Sequence, residues 1–167
     1  MANQLRILGL DPGLRRTGWG VVAVEGARLS HLGHGVVAPD EGAPLAERLL
    51  AIHRGVSDAI SRWAPEEAAI EETFVTANGS STLKLGHARA AAMLAAAVAG
   101  LPVAEYAAKV VKKALVGTGG ADKAQVSFMV ARLLPASGGA AADAADALAV
   151  AICHAHARRA RALGAAA

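Results

Sequence analysis

The stretch that decides the fold lies near the start of the chain, where residues 5–24 read LRILGLDPGLRRTGWGVVAV. Two apolar runs flank a proline–glycine step, which is typical of β-strands joined by a tight turn. Residues 5–11 and 18–24 are therefore predicted to form an antiparallel hairpin. Its first strand ends on Asp11, a charged residue directly after a run that is otherwise buried.

The rest of the chain alternates between strand-like runs and helical periodicity. Further strands are predicted at residues 28–37, 67–71 and 102–106. Helices are predicted at residues 44–63, from Ser81 or Thr82 to Ala99, and at residues 107–113, 122–133 and 141–157. Three antiparallel strands followed by strand–helix alternation predict an α/β protein with a mixed five-stranded sheet flanked by helices.

The chain shows no internal repeat and no linker, and its 167 residues suit one compact domain. Residues 1–157 are expected to form this single domain. Residues 158–167 are expected to be a flexible basic and alanine-rich tail.

The charge, cysteine count and apolar runs of the chain limit the kinds of protein that it can be. The net charge of +3 is mildly basic, which favours a polyanionic partner. The lone cysteine, Cys153, excludes an internal disulfide, and no secretory signal is visible, so a cytoplasmic protein is expected. The apolar run 90–104 is shorter than the ~20 residues that span a bilayer, so no membrane association is expected.

Four acidic residues stand at positions where the neighbouring sequence is apolar and a charge is unexpected. Asp11 and Glu71 each end an apolar strand, whereas Asp143 and Asp146 interrupt an almost uncharged helix. Residues three apart share a helix face, so the two helical acids point the same way. Strand ends and helix starts commonly meet at one sheet edge. The four carboxylates would repel each other there unless cations neutralise them.

Each acid taken alone also has a purely structural interpretation. Asp11 is typical of a turn former, and Glu71 of a solvated strand end. Asp143 and Asp146 would stabilise a helix N-terminus through the helix dipole. Only the combination of all four favours an active site.

Such a cluster would suit hard divalent cations. Mg²⁺ uses one or two carboxylates together with water and phosphate oxygens. Two such ions about 4 Å apart serve in-line displacement at phosphorus, because one activates the attacking water and the other stabilises the leaving oxygen.

Basic residues cluster in the second half of the chain. Lys112 and Lys113 follow a predicted strand, and Lys123 opens a helix after a glycine loop. These positions can reach phosphates by side chain and by backbone N–H groups at the helix start. Solvated surface lysines are the alternative interpretation, and the preferred one for Lys109. The glycine loop is not a P-loop, because no Gly-Lys-Ser/Thr follows at the required spacing.

The polar loop at residues 73–81 follows Glu71 directly. Phe74 in this loop would either stack on an unpaired base or fold back into the core. Asn78, Ser80 and Ser81 would either bind phosphate or cap the following helix. The pair His154 and His156 is expected on the surface, because residues two apart on a helix do not face each other.

The order of several motifs resembles the RuvC family of bacterial Holliday-junction resolvases. The motifs are ILGLDPGLRRTGWG, AIEETF, STLKLGHARA, EYAAKVVKKALVGTG, ADKAQV and DAADALAVAICH. They follow one another at the family's approximate spacing over roughly residues 6–156.

This resemblance implies an RNase H-like fold, a homodimer, and Mg²⁺-dependent phosphodiester cleavage with two ions per active site, for which Mn²⁺ can substitute. It implies symmetric nicks in two like-polarity strands of a four-way junction, with 5′-phosphate and 3′-hydroxyl products, during recombination and repair. It also implies partnership with the branch-migration proteins RuvA and RuvB, and a preference for certain short sequences at the cut.

The resemblance assigns catalysis and metal binding to Asp11, Glu71, Asp143 and Asp146, with Asp11 shared by both ions. The residues expected to engage DNA are Phe74, Asn78, Ser80, Lys84, Lys112, Lys113, Lys123 and Arg15. The helix at residues 82–99 is similar to the family's dimer-forming element. Ala77 and Gly79 depart from the more charged loop that is typical of the family.

Two rival functions share parts of this pattern. Sugar kinases and actin-like ATPases also open with a strand, an aspartate and a glycine turn, but they need a second domain that 167 residues do not accommodate. They also do not require the Asp-x-x-Asp helix. A non-catalytic junction-binding module is the other rival, and the presence of all four acids argues against it.

Overall fold

The computed structural model describes residues 4–72 and 77–164, and the described residues contain one mixed sheet. Its strands are β1 (Leu5–Asp11), β2 (Thr17–Glu25), β3 (Arg28–Val37), β4 (Glu67–Glu71) and β5 (Val103–Tyr106). Their order is β3-β2-β1-β4-β5. The first three strands are antiparallel neighbours, whereas β4 is parallel to β1 and β5 is parallel to β4. The predicted hairpin and five-stranded sheet are confirmed.

Helices cover both faces of this sheet. They are α1 (Leu45–Trp63), α2 (Gly79–Val98), α3 (Ala108–Val116), α4 (Lys123–Leu133) and α5 (Ala142–Gly164). One buried cluster joins the sheet to α3, α4 and α5, and a second joins its other face to α1 and α2. None of the helices within the described residues is long and apolar enough to cross a bilayer.

Strand β1 lies at the centre because its apolar side chains are buried on both faces. Ile7 packs in the cluster with α5, whereas Leu8 and Leu10 pack in the cluster with α1 and α2. All three are fully shielded from solvent. Truncating one such side chain to alanine typically lowers the free energy of unfolding by about 2–5 kcal/mol. The packing of β1 therefore holds the backbone of Asp11, at the end of the strand, in a fixed position.

Helix α5 approaches the sheet closely because glycines face it. A Cβ atom on Gly9 would lie 2.0 Å from the carbonyl oxygen of Ala147. A Cβ atom on Gly18 would lie 1.9 Å from the carbonyl oxygen of Asp143. These distances are far below van der Waals contact, so α5 occupies this position only because residues 9 and 18 have no side chain.

Two predicted helix ends differ from the structure. Helix α2 begins at Gly79, because Asn78 caps it by accepting a hydrogen bond from the Ser81 amide at 3.2 Å; the expected cap at Ser81 or Thr82 is wrong. Helix α3 continues past residue 113 to Val116 and ends where Gly117 adopts a left-handed backbone with φ of 88°.

The final helix also extends beyond its predicted end at residue 157. Helix α5 continues to Gly164, and Arg158 in this extension donates to the Glu67 carboxylate at 3.0 Å. Residues 158–164 are therefore helical. The single domain at residues 1–157 and the flexibility of the tail stay predictions.

The expectation that His154 lies on the surface is wrong. His154 is buried, its Nδ1 lies 2.8 Å from the Tyr106 hydroxyl, and its Nε2 lies 2.8 Å from Glu67. These contacts link α5 to β4 and β5 and satisfy both ring nitrogens. His156, in contrast, is exposed as expected.

Candidate active site

Two of the four acids are placed by neighbouring parallel strands. Leu10 of β1 is aligned with Ile70 of β4, so the next residues, Asp11 and Glu71, end the two strands side by side. Glu71 is also aligned with Tyr106 of β5. Its backbone carbonyl accepts a hydrogen bond from Arg89 Nε at 3.0 Å, which fixes the end of β4.

The other two acids come from the first turns of α5. Gly18 pairs with Asp11 across the hairpin, and the backbone of Asp143 lies directly against Gly18. The close approach of α5 to the sheet therefore brings the start of this helix next to Asp11. Asp146 follows one turn later on the same side.

Three of the acids line a common cleft of about 210 Å³. Asp11, Glu71 and Asp146 share its walls with Lys112 and Lys123. The predicted convergence of carboxylates is thus present for three of the four acids, and the two lysines line the same cleft.

The fourth acid, Asp143, lines the adjacent cleft instead. The other charged residues of that second cleft are Arg15, Arg16, Glu41, Arg48 and Lys84. The Arg16 Nε donates to Asp143 Oδ2 at 2.6 Å. Within residues 4–72 and 77–164, no three Asp, Glu, His or Cys side chains are grouped closely enough to enclose one ion.

The electrostatics of the first cleft favour a cation. Burial raises the pKa of Asp11 from 3.8 to about 7, and the negative charges of Glu71 and Asp146 add to this effect. Burial also raises the pKa of Glu71, followed by the charge of Asp146. Among the described residues, no side chain donates a hydrogen bond to either carboxylate.

Two lysines partly offset this negative charge. Lys123 Nζ lies 3.1 Å from Asp146 Oδ2, and this hydrogen bond is the main reason why the pKa of Lys123 is raised. Lys123 is placed at the first position of α4 by a capping box between Asp122 and Gln125. Lys112 lines the cleft from α3, whereas its neighbour Lys113 is exposed outside the lining.

The loop residues expected to engage DNA are only partly described. Phe74 lies outside the described residues, so its placement stays a prediction. Asn78 caps α2, and Ser80 is exposed in the first turn of that helix. Asn78 therefore caps the helix, and the contacts of Asn78 and Ser80 with DNA stay predictions.

The structure adds residues that the sequence did not single out. Arg48 Nη2 donates to the Leu14 carbonyl at 3.0 Å and lines the second cleft, and Arg89 holds the end of β4. No sequence pattern around Arg48 or Arg89 predicts these contacts. The contact of Arg16 with Asp143 joins residues that are 127 positions apart, so no local pattern predicts it.

Comparison with known proteins identifies the family. The sequence profile described as crossover junction endodeoxyribonuclease RuvC matches residues 7–154. The chain belongs to the RuvC family. The crossover junction endodeoxyribonuclease RuvC of Maricaulis maris is 66% identical over 167 residues, which is 100% of both chains. The RuvC of Caulobacter vibrioides is 64% identical over 159 residues and covers 94% of each chain.

Solved structures agree with this assignment. The Thermus thermophilus RuvC structure superposes with a TM-score of 0.85 at 37% identity and covers 94% of this chain and 97% of that one. A second structure, of T. thermophilus RuvC in complex with a Holliday junction substrate, gives a TM-score of 0.87 at 38% identity and covers 94% and 96%. The RNase H-like fold expected for a RuvC protein is confirmed.

Family membership decides between the functions considered from the sequence. The chain is a crossover junction endodeoxyribonuclease of the RuvC type, with the associated part in DNA recombination and repair. The small-molecule phosphotransferase is excluded, because full-length relatives at this identity carry the nuclease name.

Proposed function

We propose that this protein resolves four-way DNA junctions by paired, symmetric nicks in two like-polarity strands. The observation that carries the proposal is the half-buried Asp11 carboxylate, which lies beside Glu71 and Asp146 in a cleft that two lysines also line. A carboxylate that is partly withdrawn from water, and that receives no hydrogen bond from the side chains of residues 4–72 and 77–164, is costly to ionise unless a cation compensates its charge.

The residues of the cleft fit a hard divalent metal. RuvC-family enzymes are metal-dependent nucleases. Carboxylate oxygens are the ligands that Mg²⁺ prefers. The pKa of Asp11 is raised first by burial and then by the charges of Glu71 and Asp146, and a bound cation would offset both effects. We assign two Mg²⁺ per site to Asp11, Glu71, Asp143 and Asp146, with Asp11 shared and with Mn²⁺ able to substitute.

When bound, the ions supply an activated water and stabilise the leaving oxygen. The chain contributes the positioning. Asp11 and Glu71 stand at the ends of two hydrogen-bonded strands, so the strand pairing fixes the separation of their backbones. Hydrolysis forms a bond from the water oxygen to phosphorus and breaks the bond to the 3′ oxygen, which leaves a 5′-phosphate and a 3′-hydroxyl.

Basic residues around the acids bind the DNA backbone. Lys112 and Lys123 lie in the cleft and reach the phosphate that is cut. Arg15 and Lys84 line the second cleft and reach phosphates farther along the strand. Lys113, Asn78 and Ser80 are assigned to contacts around these clefts, and Phe74 to stacking on a base at the crossover.

A homodimer supplies the two active sites that paired nicks require, since a twofold axis matches the symmetry of the junction. Helix α2 is the proposed dimer element. Its Leu94 and Val98 are 55% and 73% exposed, which is a large apolar surface for one helix end. We further propose that the dimer acts with RuvA and RuvB in the cytoplasm.

The direct test uses a synthetic four-way junction with Mg²⁺. The wild-type protein should introduce two symmetric nicks, and Asp11→Asn should bind the junction without cutting it. A linear duplex of the same sequence serves as the control substrate and should remain intact. Binding without nicking by the wild type would instead support the non-catalytic junction-binding module, and nicking by Asp11→Asn at the normal rate would remove Asp11 from the mechanism.

A further inference from the structure

The contact between Arg16 and Asp143 joins the turn after β1 to the first turn of α5. The Arg16 Nε lies 2.6 Å from Asp143 Oδ2, which is a short charge-assisted hydrogen bond. The two side chains are 52% and 32% exposed. Water can therefore reach the pair, and an exposed ion pair of this kind contributes little to stability and is readily exchanged.

The same contact ties the Asp143 side chain to the second cleft, although its charge still helps to raise the pKa of Asp11. Asp11, Glu71 and Asp146 line the first cleft, whereas Asp143 lines the second cleft together with Arg16. An oxygen of Asp143 that accepts from Arg16 is not available to an ion held by Asp11. The bound guanidinium also places a positive charge where a cation would otherwise be attracted.

The second cleft offers an alternative partner for this guanidinium. Arg15, Arg48 and Lys84 surround it with positive charge, and Glu41 is its only acid besides Asp143 among the described lining residues. Such a cleft attracts phosphate. The planar fork of arginine binds phosphate in a bidentate manner, and this interaction is at least as favourable as a single bond to a carboxylate.

We propose that Arg16 is a positioning residue that holds Asp143 away from the metal site until a DNA phosphate in the second cleft takes over the guanidinium. Asp143 then turns toward the other acids and completes the metal site. DNA binding and metal binding are thereby coupled, and each strengthens the other by the same factor. This inference rests on the proposed function, since it assigns Asp143 to the metal.

The first experiment measures the affinity for Ca²⁺, a hard cation with oxygen ligands, by calorimetry on the full chain without DNA. Arg16→Gln should bind Ca²⁺ about fivefold more tightly than the wild type. Arg15→Gln is the matched control, because it removes the same charge from the same turn but its partner is Glu41 at 3.3 Å. Its Ca²⁺ affinity should stay within about twofold of the wild type.

The second experiment repeats the titration with a saturating four-way junction, whose strands are checked on a denaturing gel afterwards. The phosphate should release Asp143 in the wild type, so the fivefold advantage of Arg16→Gln should fall below twofold. Arg16→Lys keeps the charge but not the fork, and its Ca²⁺ affinity without DNA should lie between those of the wild type and Arg16→Gln.

The outcomes separate this inference from the proposed function. Equal Ca²⁺ affinities of Arg16→Gln and Arg15→Gln would overturn the role of Arg16, even if the junction is cut normally. An unchanged fivefold ratio with DNA would overturn the release step. Ca²⁺ binding that is absent from the wild type, or that survives in Asp11→Asn, would instead contradict the metal site of the proposed function, and the inference would fail with it.

Discussion

Substitution of Gly18 by alanine should disable the active site while leaving the protein folded. The added Cβ would lie 1.9 Å from the Asp143 carbonyl oxygen, 2.4 Å from its carbonyl carbon and 3.1 Å from the Ala144 amide nitrogen. All three atoms belong to backbone, so no side-chain rotation relieves the clash. Ordinary van der Waals contact of a Cβ atom lies at 3.4–4 Å. The start of α5 must therefore move by more than about 1 Å.

The size of the expected effect follows from this displacement. Because α5 carries Asp143 and Asp146, its shift moves two of the four acids relative to Asp11. Misplacement of catalytic groups by about 1 Å costs on the order of 100-fold in rate. Overpacking of this kind typically destabilises a protein by about 1–3 kcal/mol, which leaves a well-packed domain folded.

The assay is the single-turnover rate of junction cleavage, measured beside urea unfolding of the same preparations. Gly20→Ala is the matched comparison on the same strand and face. Its Cβ would lie 2.6 Å from side-chain atoms of Leu148 and 3.2 Å from the Leu148 amide nitrogen, so the severe overlap falls on a side chain, which can rotate away more easily than backbone can. Gly20→Ala should therefore lose stability similarly but much less activity. Normal cleavage by folded Gly18→Ala would refute the placement of α5 against Gly18.

Three further changes test the site from other directions. In metal-free protein, the pKa of Asp11 is raised to about 7, so ionisation of Asp11 lowers the free energy of unfolding as the pH rises from about 4 through 7. Asp11→Asn should therefore be more stable than the wild type by up to about 4 kcal/mol at pH 8 but by little at pH 4. A difference in urea unfolding that does not change with pH would contradict this. Lys123→Ala should weaken junction binding and make the plot of log affinity against log salt shallower by about one; an unchanged slope would show that Lys123 does not contact a phosphate. Phe74→Ala should impair junction cleavage far more than thermal stability, whereas a large fall in Tm with normal activity would make Phe74 a core residue.

Much of the fold could be predicted because the relevant signals are local. The apolar runs on either side of the first turn predict β1 and β2, and the structure pairs them in register from Leu5 to Asp11. Helix α1 was expected at residues 44–63 and spans Leu45–Trp63. Both elements depend on spacing and turn residues, which a single sequence displays directly.

The differences arise where tertiary contacts override local signals. His154 was expected on the surface, but partners on β4 and β5 make its burial favourable. The helical extension to Gly164 is accompanied by the contact of Arg158 with Glu67. Neither contact can be read from the residues next to it in sequence.

In the candidate site, too, some positions follow from local sequence signals and others depend on tertiary contacts. The convergence of Asp11, Glu71 and Asp146 could be predicted, because strand ends and a helix start carry them to one edge. The separate position of Asp143 could not, since it depends on a bond to Arg16 across 127 residues. The roles of all four acids remain proposals that the experiments above test.

The most direct test of the central claim is the location of metal ions in a crystal of this protein with a four-way junction and Mn²⁺, recorded by anomalous scattering. Two peaks about 4 Å apart are predicted in the first cleft, with Asp11 contacting both and the remaining three acids completing the ligand sets. A peak that avoids Asp11, or no peak in this cleft while DNA is bound, would contradict the four-acid metal site.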